Sequence, residues 1–198
     1  MICIGLLAEG TIDENLLPPL IEKIFEGREV RFRHLPYPPN GAGEIPKNLK
    51  ILTRLYQYEE EKRRIGCDLF ILVHDSRNTQ EIQKEIRSIL RDAVGFPAVY
   101  GLAIQEIEAW VLAEHKHLNN HLFQIHPCPT LPHKPEDDPA PKKTLIELFL
   151  KRSERFEYDH WNTECAWAVA PYLRPKAIAF QCRRGFGAFL SDLKRQAL

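Results

Sequence analysis

The sequence predicts an α/β fold: a mostly parallel sheet flanked by helices, with a C-terminal helical extension. Three observations carry this expectation. Three continuous apolar runs, ICIGLLA (Ile2–Ala8), CDLFILVHDS (Cys67–Ser76) and FPAVYGLAI (Phe96–Ile104), have the pattern of strands buried on both faces. Segments of helical periodicity separate them, an alternation that gives parallel strands joined by crossover helices. The chain has 198 residues, of which 44% are hydrophobic, enough to build a sizeable core. We expect residues 1–118 to form the α/β core. Residues 119–198, a proline-rich loop and helices, would pack on the same domain.

The elements follow in order. After the first run, Thr11 and Glu14 match a capping box, and Leu17, Leu20, Ile21, Ile24 and Phe25 recur at helical spacing. Pro18 and Pro19 suit only a first turn, so the regular helix is expected to start near Leu17 and to end at Gly27. EVRFRHL (Glu29–Leu35) alternates as a strand nearer a sheet edge, and Pro36–Pro46 reads as a loop. Residues 47–66 read as one helix with Leu49, Leu52, Leu55 and Tyr56 inward. Asn78 with Glu81 marks the next helix start, and Ile82, Ile86, Ile89 and Leu90 form its apolar stripe. The third strong strand yields to a helix around Gln105–Glu106, carrying Ile107, Trp110 and Val111. Asn119–Lys143 holds six prolines and little periodicity, and reads as a long excursion. Three segments beyond it read as helical: KKTLIELFLKR, TECAWAVAPYL and GFGAFLSDLKRQAL.

Charge and cysteine usage narrow the function classes. With 27 basic and 27 acidic residues, net charge is zero, so bulk charge does not mark a nucleic-acid binder. Lys142, Lys143, Lys151, Arg152, Arg183 and Arg184 nevertheless form a basic set suited to a phosphate backbone. Five cysteines without a C-x-x-C argue against a disulfide framework or a thiolate zinc site. The start lacks a leader pattern and no apolar run reaches a membrane span, so a cytoplasmic protein with no membrane contact is expected. His117 and His121, four apart, would share a helix face, but no H-E-x-x-H motif accompanies them. There is no P-loop and no G-x-S-x-G elbow.

Acids close each strong strand run: Glu9 after the first, Asp75 after the second, Glu106 after the third. In open α/β sheets ligands bind beyond the carboxyl ends of the strands. Adjacent parallel strands would bring these carboxylates to one rim, where like charges need a cation. Mg2+ or Mn2+ suits an all-oxygen ligand set. Gly10 would admit a phosphate close to backbone, and His74 is a candidate proton carrier beside Asp75. Glu108, two residues beyond Glu106, lies about 200° further round a helix, and its role is left open.

The order LLAEG, FILVHDS and QEIEAWVLA resembles the bacterial Toprim-like domain-of-unknown-function family 4276. The similarity extends through DDPAPKKTL and CRRGFGAFLSDL. That family is similar to the Toprim folds of topoisomerases, primases and overcoming-lysogenization-defect nucleases. The resemblance implies a glutamate and an Asp-x-Asp pair around Mg2+, with Glu9 and Asp75 at the matching positions. It also implies a phage-defence context, nucleic acid as substrate and an ATPase encoded nearby. The sequence departs from the pattern at Arg77, which stands where the second Asp would, with Asn78 or Glu106 as substitutes. Two readings follow: a metal-dependent nuclease with Glu9, Asp75 and Glu106 as catalytic and metal-binding residues, or a non-catalytic subunit binding a partner ATPase or ligand. A third and weaker reading is a small-molecule-binding flavodoxin-like module.

Overall fold

Four parallel strands form one sheet in the order β2-β1-β3-β4: β1 (Ile2–Leu7), β2 (Val30–Arg33), β3 (Leu69–Asp75) and β4 (Ala98–Ala103). The structure is a computed structural model and describes residues 1–33, 35, 41–77, 79–154, 156 and 160–197. The register pairs Ile4 with Leu69, Phe70 with Ala98 and Asp75 with Ala103. All three strong apolar runs are strands, and EVRFRHL is the edge strand expected of its alternation. Period-two alternation divides the core into two layers. Ile4, Ile71 and Val73 face α1 (Thr11–Ile24), while Leu7, Phe70 and Leu72 face α2 (Ile45–Leu55) and α4 (Gln80–Asp92).

Helix α1 begins at Thr11, not near Leu17, and runs through Pro18 and Pro19. An interior proline costs roughly 3 kcal/mol. Leu16, Leu17, Leu20 and Ile21 are fully buried, each contributing roughly 1.5–3 kcal/mol, so burial wins and the helix persists. Gly10 is the N-cap and no side chain caps the helix, so the capping box expected of Thr11 and Glu14 does not form. Thr11 is already helical, one residue too late to cap. The helix ends at Ile24, three residues before Gly27.

Residues 47–66 are not one helix. The chain breaks at Tyr56–Tyr58 between α2 and α3 (Glu59–Ile65). The stretch EEEKRR has no apolar stripe to continue the face of Leu49 and Leu52. Helix α4 starts at Gln80 with Thr79 as N-cap, and Asn78 lies outside the described residues.

Beyond β4 come α5 (Glu108–Leu112) and α6 (His115–Leu118), then a π-helical turn (Asn119–Phe123) and an excursion with one 3-10 turn (Pro135–Asp137) before α7 (Pro141–Leu148). The last three helices are α8 (Thr163–Val169), α9 (Pro175–Gln181) and α10 (Ala188–Ala197). Helix α9 escapes the periodicity argument because it is short and has a single buried residue, Ile178. Helix α8 packs on α1, and α10 lies along β4. Trp110 of α5 is fully buried between Phe186 and Phe189, with ring centroids 4.9 and 6.0 Å away. Among the described residues, no helix is long and apolar enough to cross a membrane.

Candidate functional site

The chain leaves β1 toward β2 and leaves β3 toward β4, in opposite directions across the sheet. The crevice between the carboxyl ends of β1 and β3 is therefore the topological switch point of this α/β sheet. Glu9 and Asp75 stand there. Glu9 Oε1 accepts the Asp75 N–H at 2.8 Å. Asp75 Oδ1 in turn accepts the Ile107 N–H at 2.8 Å, which ties the end of β3 to the start of α5. Gly10 has extended backbone, with nothing within 4 Å of where a Cβ would be, so the mouth beside Glu9 is open.

Two further acids join them. Asp13 lies in the first turn of α1, four residues after Glu9. Glu108 lies in the first turn of α5 and is only 4% exposed. Burial raises the pKa of all four carboxyls. Asp75 is pushed up to about 9 by burial first, then by the charges of Glu108, Glu9 and Asp13. Asp13 is pushed up to about 7 by burial and by Glu9, partly relieved by backbone N–H groups of Glu9 and Gly10. Glu108 is also pushed up to about 7, mainly by burial. Glu9 is raised by burial, against the pull of the Asp75 N–H. At neutral pH the crevice thus stores protons that a bound cation would displace.

The cation facing these acids is Lys142 of α7, with Nζ 3.9 Å from Glu108 Oε1. Its charge lowers the pKa of both Asp13 and Glu108. Glu106 has different partners from the other acids. Oε1 meets Arg77 Nη1 at 2.9 Å and Oε2 accepts the Lys142 N–H at 3.0 Å. Glu106 sits in a turn opened by Gln105, whose φ of +65° reverses the chain after β4. That turn, not a helix start at Gln105–Glu106, is why Glu106 and Glu108 face different surroundings.

His74 is buried on the opposite layer. Its Nδ1 lies 3.0 Å from the Tyr100 hydroxyl and its Nε2 lies 3.2 Å from Thr79 Oγ1. Burial lowers its pKa to about 4, so it is neutral across the physiological range. Both ring nitrogens are engaged away from the crevice. His117 and His121 do lie side by side, with ring centroids 4.2 Å apart. All five cysteines are free.

Among the described residues, no three Asp, Glu, His or Cys side chains stand close enough to hold one metal ion. That geometry does not suit zinc, which takes three or four protein ligands. It is compatible with Mg2+, which keeps several waters and takes one or two carboxylates plus substrate phosphates. Asp13 was not singled out by sequence reasoning, and Lys142 was named only as one of a basic set for a phosphate backbone, not as a partner of these acids. The signals were there: an acid four residues after Glu9 in a helix first turn, and a lysine just after the proline that opens α7.

The fold and crevice define an open, all-parallel α/β protein with an acid-lined switch point. Comparison with family models, with curated proteins and with solved structures returns no match.

Proposed function

We propose that this chain is a Toprim-like phosphodiesterase that uses Mg2+ or Mn2+ to cleave nucleic acid, in a phage-defence setting. The observation that supports it is the gathering of four carboxyls at the switch point, those of Glu9, Asp13, Asp75 and Glu108, each with its pKa raised by burial and with Lys142 beside Glu108. Such an array is costly unless a cation or substrate uses it. Glu9 and Asp75 would hold the ion, each oriented by a backbone N–H. When bound, the ion would polarise a phosphodiester and make a metal-bound water more acidic. Asp13 and Glu108, with pKa values near 7, are matched to accepting or donating a proton at neutral pH. Glu106 holds Arg77 and the start of α7 in place. Lys142 supplies positive charge where a pentacovalent phosphate would build negative charge.

The test is cleavage of single- and double-stranded DNA and RNA with Mn2+, comparing wild type with Glu9→Gln and Asp75→Asn. The expected result is metal-dependent cleavage that falls at least 100-fold in each variant. Undiminished cleavage by both variants overturns the site.

A second reading is favoured by Arg77. Its guanidinium stands where the Toprim pattern has an acid and is paired with Glu106. On this reading the chain is a non-catalytic subunit held by an ATPase encoded nearby. A protein that is inert with both metals, and whose melting temperature no millimolar Mg2+ or Mn2+ shifts, supports the second reading over the first.

A further inference from the structure

Beside the acid crevice lies a notch of about 280 Å3, with Arg77 from the end of β3 on one wall and Lys142 and Lys143 from α7 on the other. One carboxylate builds both walls: Glu106 pairs with Arg77 through one oxygen and caps the Lys142 N–H with the other. The other acid in the notch, Glu147, is engaged by Lys151 at 3.0 Å. The acids of the notch therefore already have partners, while the cations have donors to spare. Arg77 is 51% exposed and its guanidinium carries five N–H donors, of which Glu106 takes one. Lys143 is exposed and has no ion-pair partner among the described residues. Lys142 belongs to both places, lining the notch while its ammonium stands 3.9 Å from Glu108.

From this arrangement we infer that the notch is a phosphate-backbone subsite, in which Arg77, Lys142 and Lys143 hold a phosphodiester of one nucleic-acid strand beside the acid crevice. The inference rests on the proposed function for its substrate class. The volume is below the roughly 300–1,000 Å3 that encloses a whole drug-sized ligand. A notch of this size accommodates one phosphodiester link of a longer chain. Arginine and lysine together give a fork and a point charge, the two donor geometries that phosphate oxygens accept. Arg77, which would be out of place among metal ligands, is in place here.

The experiment is fluorescence anisotropy of a fluorescein-labelled 12-nucleotide single-stranded DNA in EDTA, across a KCl series, with thermal melts of each variant. Omitting metal separates binding from chemistry, so a subsite can be found even if the protein never cleaves. Three phosphate contacts predict a log–log salt slope of about −2, at about −0.7 per contact for single strands. Lys143→Ala, a change at an exposed and unpaired side chain, should flatten the slope by about 0.7. Arg77→Gln with Lys143→Ala should flatten it by about 1.4 and weaken binding at least tenfold. Asp75→Asn should bind as tightly as wild type or tighter. An unchanged slope and affinity in Lys143→Ala and in the double variant, with melts matching wild type, overturns the subsite. Equal competition by a nucleoside monophosphate at the same phosphate concentration overturns the strand in favour of a free-phosphate site.

Discussion

Asp75→Asn should stabilise the metal-free protein at neutral and alkaline pH while removing metal binding. In the unfolded chain Asp75 has an ordinary carboxyl pKa of 3.8, whereas in the fold burial and three neighbouring acids push it to about 9. Between those values the folded state holds a proton that the unfolded state has lost, so stability falls as pH rises through this window. From 3.8 to 7 is about three pH units, at about 1.36 kcal/mol each, which sets a limit near 4 kcal/mol at pH 7. Deprotonation spread over the neighbouring acids reduces this, and about 2–4 kcal/mol is expected. Asparagine keeps an oxygen for the Ile107 N–H and carries no titrating charge. For a chain of this length the gain is a rise in Tm of roughly 5–15 °C. The assay is calorimetry in EDTA at pH 4, 7 and 8.5. The two proteins should converge at pH 4 and diverge steadily above it. Addition of 5 mM Mg2+ should raise the Tm of wild type and leave the variant unmoved, because only a ligand of the folded state stabilises it. An asparagine variant no more stable than wild type at pH 8.5, or a gap that does not widen with pH, refutes the account of the crevice as a store of unfavourable charge.

Other perturbations test the frame around the crevice. Gly185→Ala would place a Cβ 2.6 Å from the Leu102 carbonyl oxygen and 3.0 Å from Glu136, so the turn Arg183–Gly187, which packs on β4, must shift. A loss of about 3 kcal/mol in urea unfolding is expected. Glu106→Ala removes a partner of Arg77 and the acceptor for the Lys142 N–H, and should cost about 1–2 kcal/mol, with faster hydrogen exchange at the start of α7. His74, held neutral by burial with a pKa of about 4, makes the folded state harder to protonate than the unfolded chain. Stability from this group is therefore lost as pH falls from 6.5 toward 4, and His74→Asn should flatten that acid limb in calorimetry. Pro18→Ala should raise Tm, since it restores the N–H that α1 lacks at that turn.

The strands were legible because a strand buried on both faces needs an unbroken apolar run, and little else produces one of that length. Glu9 and Asp75 were legible for a related reason, as the first charges after such runs. Lengths of helices were harder to read. The prolines of α1 argue against the helix locally, and only the burial of its leucines overrules them. The break at Tyr56–Tyr58 lies inside a stretch whose composition favours helix throughout.

What the sequence alone determined was the class of fold and that Glu9, Asp75 and Glu106 each follow a strong strand run, because periodicity and run length are local properties; that the strands before Glu9 and Asp75 are neighbours came from the sheet order. Which other groups share their space was decided only by tertiary structure. Asp13 reaches the crevice through the start of α1, Glu108 through the reversal at Gln105, and Lys142 across some seventy residues from Asp75 through the docking of α7. Such meetings depend on strand order and helix placement. No spacing in the chain encodes them, and the electrostatic cost of bringing the acids together appears only once they are buried side by side.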